Sequence, residues 1–363
     1  MSRYIFKEQS IEKEYRYIFL CGAHYNKKDK LDKRKVLRKY LESVDNCYRP
    51  IILEENFVFT KNSKKYLVYD DIHMKDLYQV EMLMNYLADN NIIIHESIST
   101  GAEAGLFLSE KNAICKTCLL LPDEIAVEEN KLGQFLRLAF QQKEPYLKTI
   151  TYYPRVEENI CSQNFRNWHT YFYGDQIGKN LEQEIITFLN SRNVPNLLKF
   201  SKSVCKIDEG QIHYKVINGE LSITALPRII MICVASVLNI DNIQKSIFNS
   251  KSKELREYIQ IIKNAMEEVF INTVEEMLGK QIRGCSIKAK MNINGVYISQ
   301  IIGMSLYLFQ AAGFITIIKD EDYADTRKLC INRKMLCSSE RKNHFFYEKY
   351  SSCIDIVVGV QIV

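Results

Sequence analysis

Features that assign many chains to a familiar functional class are missing from these 363 residues. No run of about 18 apolar residues occurs, so the sequence predicts no transmembrane helix and no membrane partner. The first residues, MSRYIFKEQSIEKEYRY, lack the apolar core of a secretory signal, and we therefore expect a cytoplasmic protein. A net charge of only +5 excludes a strongly basic protein, although it permits local basic patches.

Cysteine and histidine show no metal-binding pattern. The 11 cysteines are scattered and odd in number, which is typical of reduced cytosolic thiols. One CxxC occurs, from Cys115 to Cys118, but it lies in an apolar, strand-like stretch and no second pair follows. A structural role is therefore favoured over zinc or redox use. We predict no metal and no cofactor.

A GxGxxG motif after the first apolar segment is also missing, so the usual dinucleotide fingerprint is absent. What is present in the first half is an alternation of apolar strands with amphipathic helices. We predict strands at 17–21 and 49–54, at 92 onward and at 118–121, with helices at 33–43, at 76–88 and from 102. This alternation predicts an α/β fold with a Rossmann or flavodoxin-like parallel sheet.

The pattern changes in the second half. Residues 124–200 are predicted to be mainly helical, and two strand-like pieces follow from about residue 203. Helices at 228–238, 253–278 and 296–312 precede two short strands, at 314–319 and 328–332. A helix followed by a two-stranded wing predicts a winged helix, which is a relative of the helix-turn-helix. We therefore predict two domains, residues 1–200 with the sheet and residues 201–363 mainly helical with the winged helix.

The predicted wing carries a local positive charge, which comes from Arg327, Lys328, Arg333 and Lys334. Such residues contact nucleic acid or a protein partner in many winged helices. A solvated surface explains them equally well.

The most informative segment is IIIHESISTGAEAGLF, residues 92–107. Its three isoleucines predict a fully buried strand that ends at His95, Glu96 and Ser97. In an open parallel sheet, ligands bind at the carboxyl ends of the strands. Two carboxylates, Glu96 and Glu103, are therefore expected where a small molecule would bind.

The residues after this strand predict a helix start. Ser99, Thr100 and Gly101 suit a cap and a tight turn, and Ala102 onward suits a helix with Glu103 in its first turn. The positive end of the helix dipole would keep that carboxylate ionised. A fixed, ionised carboxylate can attack the anomeric carbon of a sugar. The alternative is an acidic residue that only complements the dipole.

Other polar residues are predicted at the same edge of the sheet. Our candidates for substrate binding are Gly22, His24, Glu54, Glu55, Glu81, His95, Glu96, Ser97, Thr100 and Gly101. Several carboxylates around one site repel one another unless a substrate, a cation or a shared proton compensates. Glu81 facing solvent, and His24 as a surface loop residue, are the alternatives. The residues leave open whether His95 or Glu96 assists the leaving base.

At these residues the chain resembles the nucleoside 2-deoxyribosyltransferase superfamily, which has a strand-end acid, a Gly/Thr loop and a catalytic Glu followed by Gly. More closely, the N-terminal half resembles effector proteins of bacterial retrons, the anti-phage systems with a reverse transcriptase and an RNA–DNA hybrid. The matching pieces are IFLCG at 18–22, LEENF at 53–57, HESISTGAEAGLF at 95–107, and Glu81 placed 15 residues before Glu96. The chain departs from the classical transferases in having Glu96 where they have Asp, and in a spacing of seven positions rather than six from Glu96 to Glu103.

The resemblance implies a function. Those effectors join a deoxyribosyltransferase-like domain to a C-terminal winged helix, and their Glu at the position of Glu103 is the nucleophile. The implied activity is cleavage or transfer at the N-glycosidic bond of a nucleotide or NAD-like substrate, by a toxin that the retron complex restrains. The implied partners are the reverse transcriptase and its RNA–DNA hybrid.

Two further hypotheses remain open at this stage. In one, the same site senses a nucleotide without catalysis, and the winged helix passes the signal to nucleic acid or protein. In the other, the chain is a TIR-type NADase, which also uses a Glu on an α/β sheet. The sequence leaves homo-oligomerisation open.

Overall fold

The computed structural model describes residues 2–11, 14–23, 25–26, 28–57, 68–122, 137–141, 144, 146–153, 170–191, 196–202, 211–249, 255–291, 296–319, 327–331 and 348–358. The chain divides into two compact units that are interleaved along the sequence. The first unit comprises Met1–Glu14, Val58–Leu83 and Pro195–Val363, and the second comprises Tyr15–Phe57 and Met84–Val194. The division into functional domains at residue 200 stays a prediction.

The strands and helices are numbered here in chain order. The strands are β1 (Ser2–Phe6), β2 (Gln9–Ile11), β3 (Arg16–Cys21), β4 (Tyr48–Ile51), β5 (Asn90–Ile94), β6 (Thr117–Pro122), β7 (Lys148–Tyr152), β8 (Phe172–Tyr173), β9 (Gln176–Ile177), β10 (Asn196–Leu198), β11 (Phe200–Lys202), β12 (Ile212–Ile217), β13 (Glu220–Ala225), β14 (Gly284–Ala289), β15 (Ile315–Lys319), β16 (Arg327–Ile331) and β17 (Ile354–Val358). The helices are α1 (Lys33–Val44), α2 (Leu53–Asn56), α3 (Leu77–Leu87), α4 (Ile98–Leu108), α5 (Lys111–Ile114), α6 (Lys179–Asn190), α7 (Pro227–Val237), α8 (Asp241–Asn249), α9 (Leu255–Leu278) and α10 (Ile298–Ala311). Within the described ranges, no helix has both the length and the apolar character needed to cross a membrane.

The second unit is built on a five-stranded parallel sheet with the order β4-β3-β5-β6-β7. Counted along the chain, this is the order 2-1-3-4-5 of flavodoxin-like sheets, and it confirms the predicted parallel α/β sheet. The strand order changes direction between β3 and β5. In sheets of this kind the ligand site lies at that switch point, outside the carboxyl ends of the strands.

The apolar sequences of β5 and β6 are consistent with their positions in the interior of the sheet. All residues of β5 and β6 are buried, as expected for strands that are covered on both faces. Helix α6 adds an apolar stripe, Leu181, Ile185, Phe188 and Leu189, to the core that β3, β5 and β6 form. The sheet therefore provides a rigid support for the residues at its carboxyl edge.

Two predictions for this sheet are wrong. The mainly helical interpretation of 124–200 missed β7. Its sequence, KTITY, alternates polar and apolar residues and is shorter than most helices, and both features are typical of a strand. The second strand ends at Ile51 rather than Glu54, and Leu53–Asn56 forms the short helix α2. Glu54 and Glu55 are therefore helical residues, three and four positions after the end of the strand.

The first unit contains a four-stranded sheet, β11-β12-β13-β14, together with helices α7, α9 and α10, which contact one another. Strands β12 and β13 are joined by Asn218 and Gly219, both with positive φ. Asn-Gly is favoured in two-residue hairpin turns because both positions need positive φ. Every residue of α7 is buried, and Pro227 opens it at a position where its missing N–H has no cost.

The C-terminal part of this unit has the predicted order of elements. Helix α10 ends before Gly313, which has a φ of 79°, and the antiparallel pair β15 and β16 follows. The identification of this helix and hairpin as a winged helix stays a prediction.

Two helical glycines predict stability changes of opposite sign. A Cβ on Gly303 of α10 would lie 2.9 Å from the Ile72 Cβ and 3.0 Å from its backbone oxygen. A Cβ on Gly105 of α4 would have no neighbouring atom within 4 Å. We expect Gly303→Ala to destabilise, because overpacking costs about 1–3 kcal/mol and exceeds the helix gain of up to about 1 kcal/mol. Gly105→Ala should stabilise by about 0.5–1 kcal/mol. Denaturant midpoints measure both, and a gain at Gly303 would contradict the contact.

Candidate functional site

The candidate site lies at the carboxyl edge of the parallel sheet, where β5 passes into α4. Helix α4 begins at Ile98 with Ser97 as its N-cap, so the predicted start at Ala102 is wrong. Ser97 accepts a hydrogen bond from the backbone N–H of Thr100, 3.3 Å away, and no acidic residue lies in the first turn. Glu103 is therefore in the second turn, and the dipole argument for its ionisation does not apply, since that effect falls off within one turn.

Glu103 is nevertheless enclosed by protein. The residue is half-buried, and its Oε2 atom is inaccessible to solvent. Thr100 and Phe107, three residues before and four residues after Glu103 on α4, are buried, so Glu103 borders the buried face of the helix. The carboxylate thus has the limited exposure expected of a group that reacts with a bound molecule rather than with bulk water.

Thr100 fixes the loop between β5 and α4. Its hydroxyl donates to the Ser97 carbonyl at 2.8 Å and accepts from the backbone N–H groups of Glu96, at 3.2 Å, and Ser97, at 3.1 Å. Thr100 itself is fully buried. Ser97 and Thr100, which are among the residues predicted to bind substrate, therefore hold the strand end and the helix start together.

His95 lies against the first turns of the same helix. Its Nδ1 is 3.3 Å from the Thr100 hydroxyl, and a Cβ on Gly101 would come within 3.2 Å of its Cε1. Gly101 therefore leaves the space that the imidazole occupies. Burial lowers the pKa of His95 below its ordinary value of 6.5, so the neutral imidazole is favoured near pH 7.

This shift predicts a pH effect on stability. Because the folded-state pKa of His95 is depressed, the unfolded chain binds the proton more readily, and His95 lowers stability as pH falls below about 6.5. We expect His95→Gln to lose less stability than the parent between pH 7 and pH 5. Urea midpoints across that range measure it, and parallel curves for the two proteins would contradict it. Burial and Arg256 also lower the pKa of His73. His73 is present in both proteins, so its effect on stability is the same in both and does not change the difference between them.

Glu96 lies two residues after the end of β5, and its side chain contacts residues of two other chain segments. Its Oε1 accepts a hydrogen bond from the Tyr152 hydroxyl at 2.5 Å, and it forms an ion pair with the Lys33 ammonium. Lys33 is the first residue of α1, and Tyr152 is the last residue of β7. The Lys33 ammonium also lies 5.3 Å from the centre of the Tyr152 ring.

Gly22, at the end of β3, lies beneath a buried arginine. A Cβ on Gly22 would be 3.0 Å from the Cδ of Arg34 and 3.1 Å from its Nε. The Arg34 guanidinium donates to the Ala23 carbonyl at 2.6 Å and to Glu54 at 2.7 Å, and it lies over the Tyr25 ring. Gly22 is therefore needed for the close approach of this side chain.

Glu55 has partners of its own. It accepts a hydrogen bond from the Tyr25 hydroxyl and forms an ion pair with Arg38. Burial, with a further contribution from Glu55, raises the pKa of Tyr25, which keeps the phenol protonated as a donor. The repulsion expected among the carboxylates is thus offset by cations of α1, one for each of Glu54, Glu55 and Glu96.

The sequence predicted the carboxylates at this edge but missed Lys33, Arg34, Arg38 and Tyr152. One signal was available for the three cations. In a parallel sheet the first turns of the helix after a strand lie at the edge where that strand ends, and KRKVLR begins such a helix. Tyr152 gave no such signal, because β7 itself was not predicted.

The remaining predicted residues lie elsewhere or are not described. Glu81 is half-buried on α3, in the Val58–Leu83 segment of the first unit. Arg327 and Lys328 belong to β16, paired with Lys319 and Ile318 of β15. His24, Arg333 and Lys334 lie outside the described residues.

The cysteine interpretation concerns the same sheet. Cys118 is buried in β6, and Cys115 is half-buried; both are free thiols. Burial raises the pKa of the Cys118 thiol well above its ordinary value, which disfavours the reactive thiolate.

Comparison with known proteins identifies a family. No curated protein matches the chain. A family model described as STM3845 retron effector protein matches residues 30–316, well over half of the chain. The matched range includes the three cations of α1, the four acids Glu54, Glu55, Glu96 and Glu103, and helices α4 and α10. Family membership indicates a role in anti-phage defence and association with a retron. The chain belongs to the STM3845 retron effector protein family.

Proposed function

We propose that this retron effector is a toxin that cleaves the N-glycosidic bond of a nucleotide or NAD-like substrate, or transfers its ribosyl group, with Glu103 as the nucleophile. The observation that carries the proposal is the position of Glu103. It lies on the helix that leaves β5 at the switch point of a 2-1-3-4-5 sheet, with one carboxylate oxygen buried.

The mechanism uses two displacements at C1′ of the sugar. An oxygen of Glu103 forms a bond to C1′ as the bond from C1′ to the base nitrogen breaks, through an oxocarbenium-like state. The bonding electrons leave with the base: nicotinamide leaves NAD as a neutral molecule, whereas adenine takes up one proton from water. Water, or another hydroxyl acceptor, then attacks C1′ and gives up its proton to solvent, the ester bond to Glu103 breaks, and the carboxylate is restored. A hydrolase and a transferase differ only in this acceptor.

Other residues at the carboxyl edge of the sheet would have supporting roles. Glu96 is held at the strand end by donors, which suits it to accept a hydrogen bond from the substrate. His95 is neutral near pH 7 because burial lowers its pKa, so it is suited to hydrogen bonding rather than to carrying a positive charge. Arg34 and Arg38 fix Glu54 and Glu55, and these two acids shape the site rather than bind the sugar.

The partners belong to the same proposal. The retron reverse transcriptase and its RNA–DNA hybrid would restrain the toxin until infection, and Arg327, Lys328, Arg333 and Lys334 are the candidate contacts of the winged helix. A local positive charge makes such contacts dependent on salt.

The test is direct detection of base release. The purified full-length chain, alone and with the retron reverse transcriptase and hybrid, is incubated with NAD, AMP and dAMP, and free bases are separated by chromatography. We expect free nicotinamide or adenine from the chain alone and less from the complex. Nucleotide binding without any released base would contradict the enzyme and support the sensing module. Cyclised ADP-ribose as the product would favour TIR-type chemistry.

A further inference from the structure

The contacts of Glu96 are arranged unequally on its two oxygens. Both the Tyr152 hydroxyl and the Lys33 ammonium contact Oε1. No hydrogen bond reaches Oε2 from the portion of the chain that the structure describes. The side chain is 28% exposed, so solvent and ligands have access to it. One oxygen is therefore held by protein, and the other can take a hydrogen bond from a ligand.

The three side chains come from distant parts of the sequence. Tyr152 is completely buried, and its ring packs edge-on against Phe172 with centroids 5.4 Å apart. That packing fixes the phenol oxygen relative to the sheet. Lys33 is held by the start of α1, whose N-cap is Asp32. The carboxylate of Glu96 is thus located by two rigid elements, although it belongs to a loop.

The chemistry of the donors limits what Glu96 can do. A carboxylate that takes a charge-assisted bond and a phenol bond on one oxygen is an acceptor only. Its second oxygen binds a donor group, such as a sugar hydroxyl or an exocyclic amine of a base. Because both partners of Oε1 are donors, the arrangement uses Glu96 as an acceptor rather than as a donor to the leaving base.

We propose that Lys33 and Tyr152 are positioning residues that fix Glu96 as a hydrogen-bond acceptor for a donor group of the nucleotide. The inference rests on the proposed function and deepens it, because it assigns Glu96 to substrate recognition and not to proton transfer. The ion pair is too exposed to contribute much to stability. Its loss should therefore affect the site rather than the fold.

The test compares Lys33→Met and Tyr152→Phe with a matched control, Lys39→Met. Lys39 lies on the same helix and pairs with the exposed Asp175 at 3.4 Å. We expect kcat/KM for base release to fall about 10-fold in both site variants. Most of the fall should come from a higher KM, because the weakened contact binds the substrate and the transition state equally. Lys33→Arg should recover most of the loss. Lys39→Met should match the parent.

Substrate analogues identify the donor group. AMP, dAMP and IMP differ in the 2′-hydroxyl and in the exocyclic amine. If Oε2 binds the hydroxyl, the parent prefers AMP to dAMP, and Lys33→Met loses that preference. If it binds the amine, the same pattern appears between AMP and IMP. Equal preferences in parent and variant for both pairs would overturn the inference.

Other outcomes separate this inference from the proposed function. A fall in kcat with an unchanged KM would overturn positioning and assign Glu96 to proton transfer. Site variants that match Lys39→Met would overturn it as well. If the parent releases no base from any nucleotide, the proposed function fails, and calorimetric Kd values for AMP then decide the positioning role, with a 10-fold weaker Kd in both site variants as the expected result.

Discussion

Glu103→Gln should abolish base release, with kcat falling on the order of 10³-fold or more, because an amide cannot replace the carboxylate that forms the bond to C1′. Glutamine has nearly the same shape as glutamate, and Glu103 is only half-buried, so the fold should be kept. The measurement is the initial rate of adenine or nicotinamide release, together with the thermal midpoint of the variant.

The proposed role of Glu103 as the nucleophile also predicts a covalent intermediate. Mass spectrometry of acid-quenched parent enzyme should find a ribosyl adduct on the peptide that contains Glu103, and the variant should show none. Glu110→Gln, which changes a half-buried glutamate just after α4, is the matched control and should retain activity. Full base release by a folded Glu103→Gln would remove Glu103 from the mechanism, whatever the control shows.

The largest stability effect is expected in the first unit, at the ion pair between Arg228 and Glu14. The guanidinium is 3.0 Å from Glu14 Oε1, which also accepts from the Tyr350 hydroxyl at 3.0 Å. Both charged residues are buried, at 9% and 8% exposure. Arg228→Met would remove this guanidinium from the buried carboxylate, and we expect a loss of about 3–5 kcal/mol in the free energy of unfolding.

A double variant distinguishes charge from packing. In Glu14→Gln/Arg228→Met the buried charge is absent, so the double variant should be more stable than Arg228→Met alone. The exposed pair of Lys7 and Asp355, with atoms 4.0 Å apart, provides the comparison, and Lys7→Met should cost less than about 1 kcal/mol. Urea unfolding measures all of these. Equal losses for Arg228→Met and Lys7→Met would show that burial of the pair has no energetic importance.

The sequence predicted the parts of the fold that depend on local pattern. Apolar runs identified β3, β5 and β6, and amphipathic periodicity identified α1 and α9 within a residue or two. The order β4-β3-β5-β6-β7 could not be predicted, because pairing between strands is set by contacts across long sequence separations.

The same distinction applies to the site. Glu96 and Glu103 were predicted because both lie within one strand–loop–helix segment. Lys33 and Tyr152 contact Glu96 from 63 and 56 residues away in sequence. The start of α4 was misplaced because Ser97 and Ser99 are both suitable N-caps, and only the hydrogen bonds of Thr100 select Ser97.

The interleaving of the two units has a consequence for synthesis on the ribosome. All residues of the second unit, which contains Glu103, have been made by Val194, whereas the first unit still needs residues 195–363. At about 5–20 residues per second, roughly 10–30 seconds pass between these two points. The parallel sheet with its carboxylates can therefore form on the nascent chain before residues 195–363 exist. If the proposed function holds, a newly made effector would acquire the proposed catalytic site before the proposed partner contacts at Arg327 and Lys328.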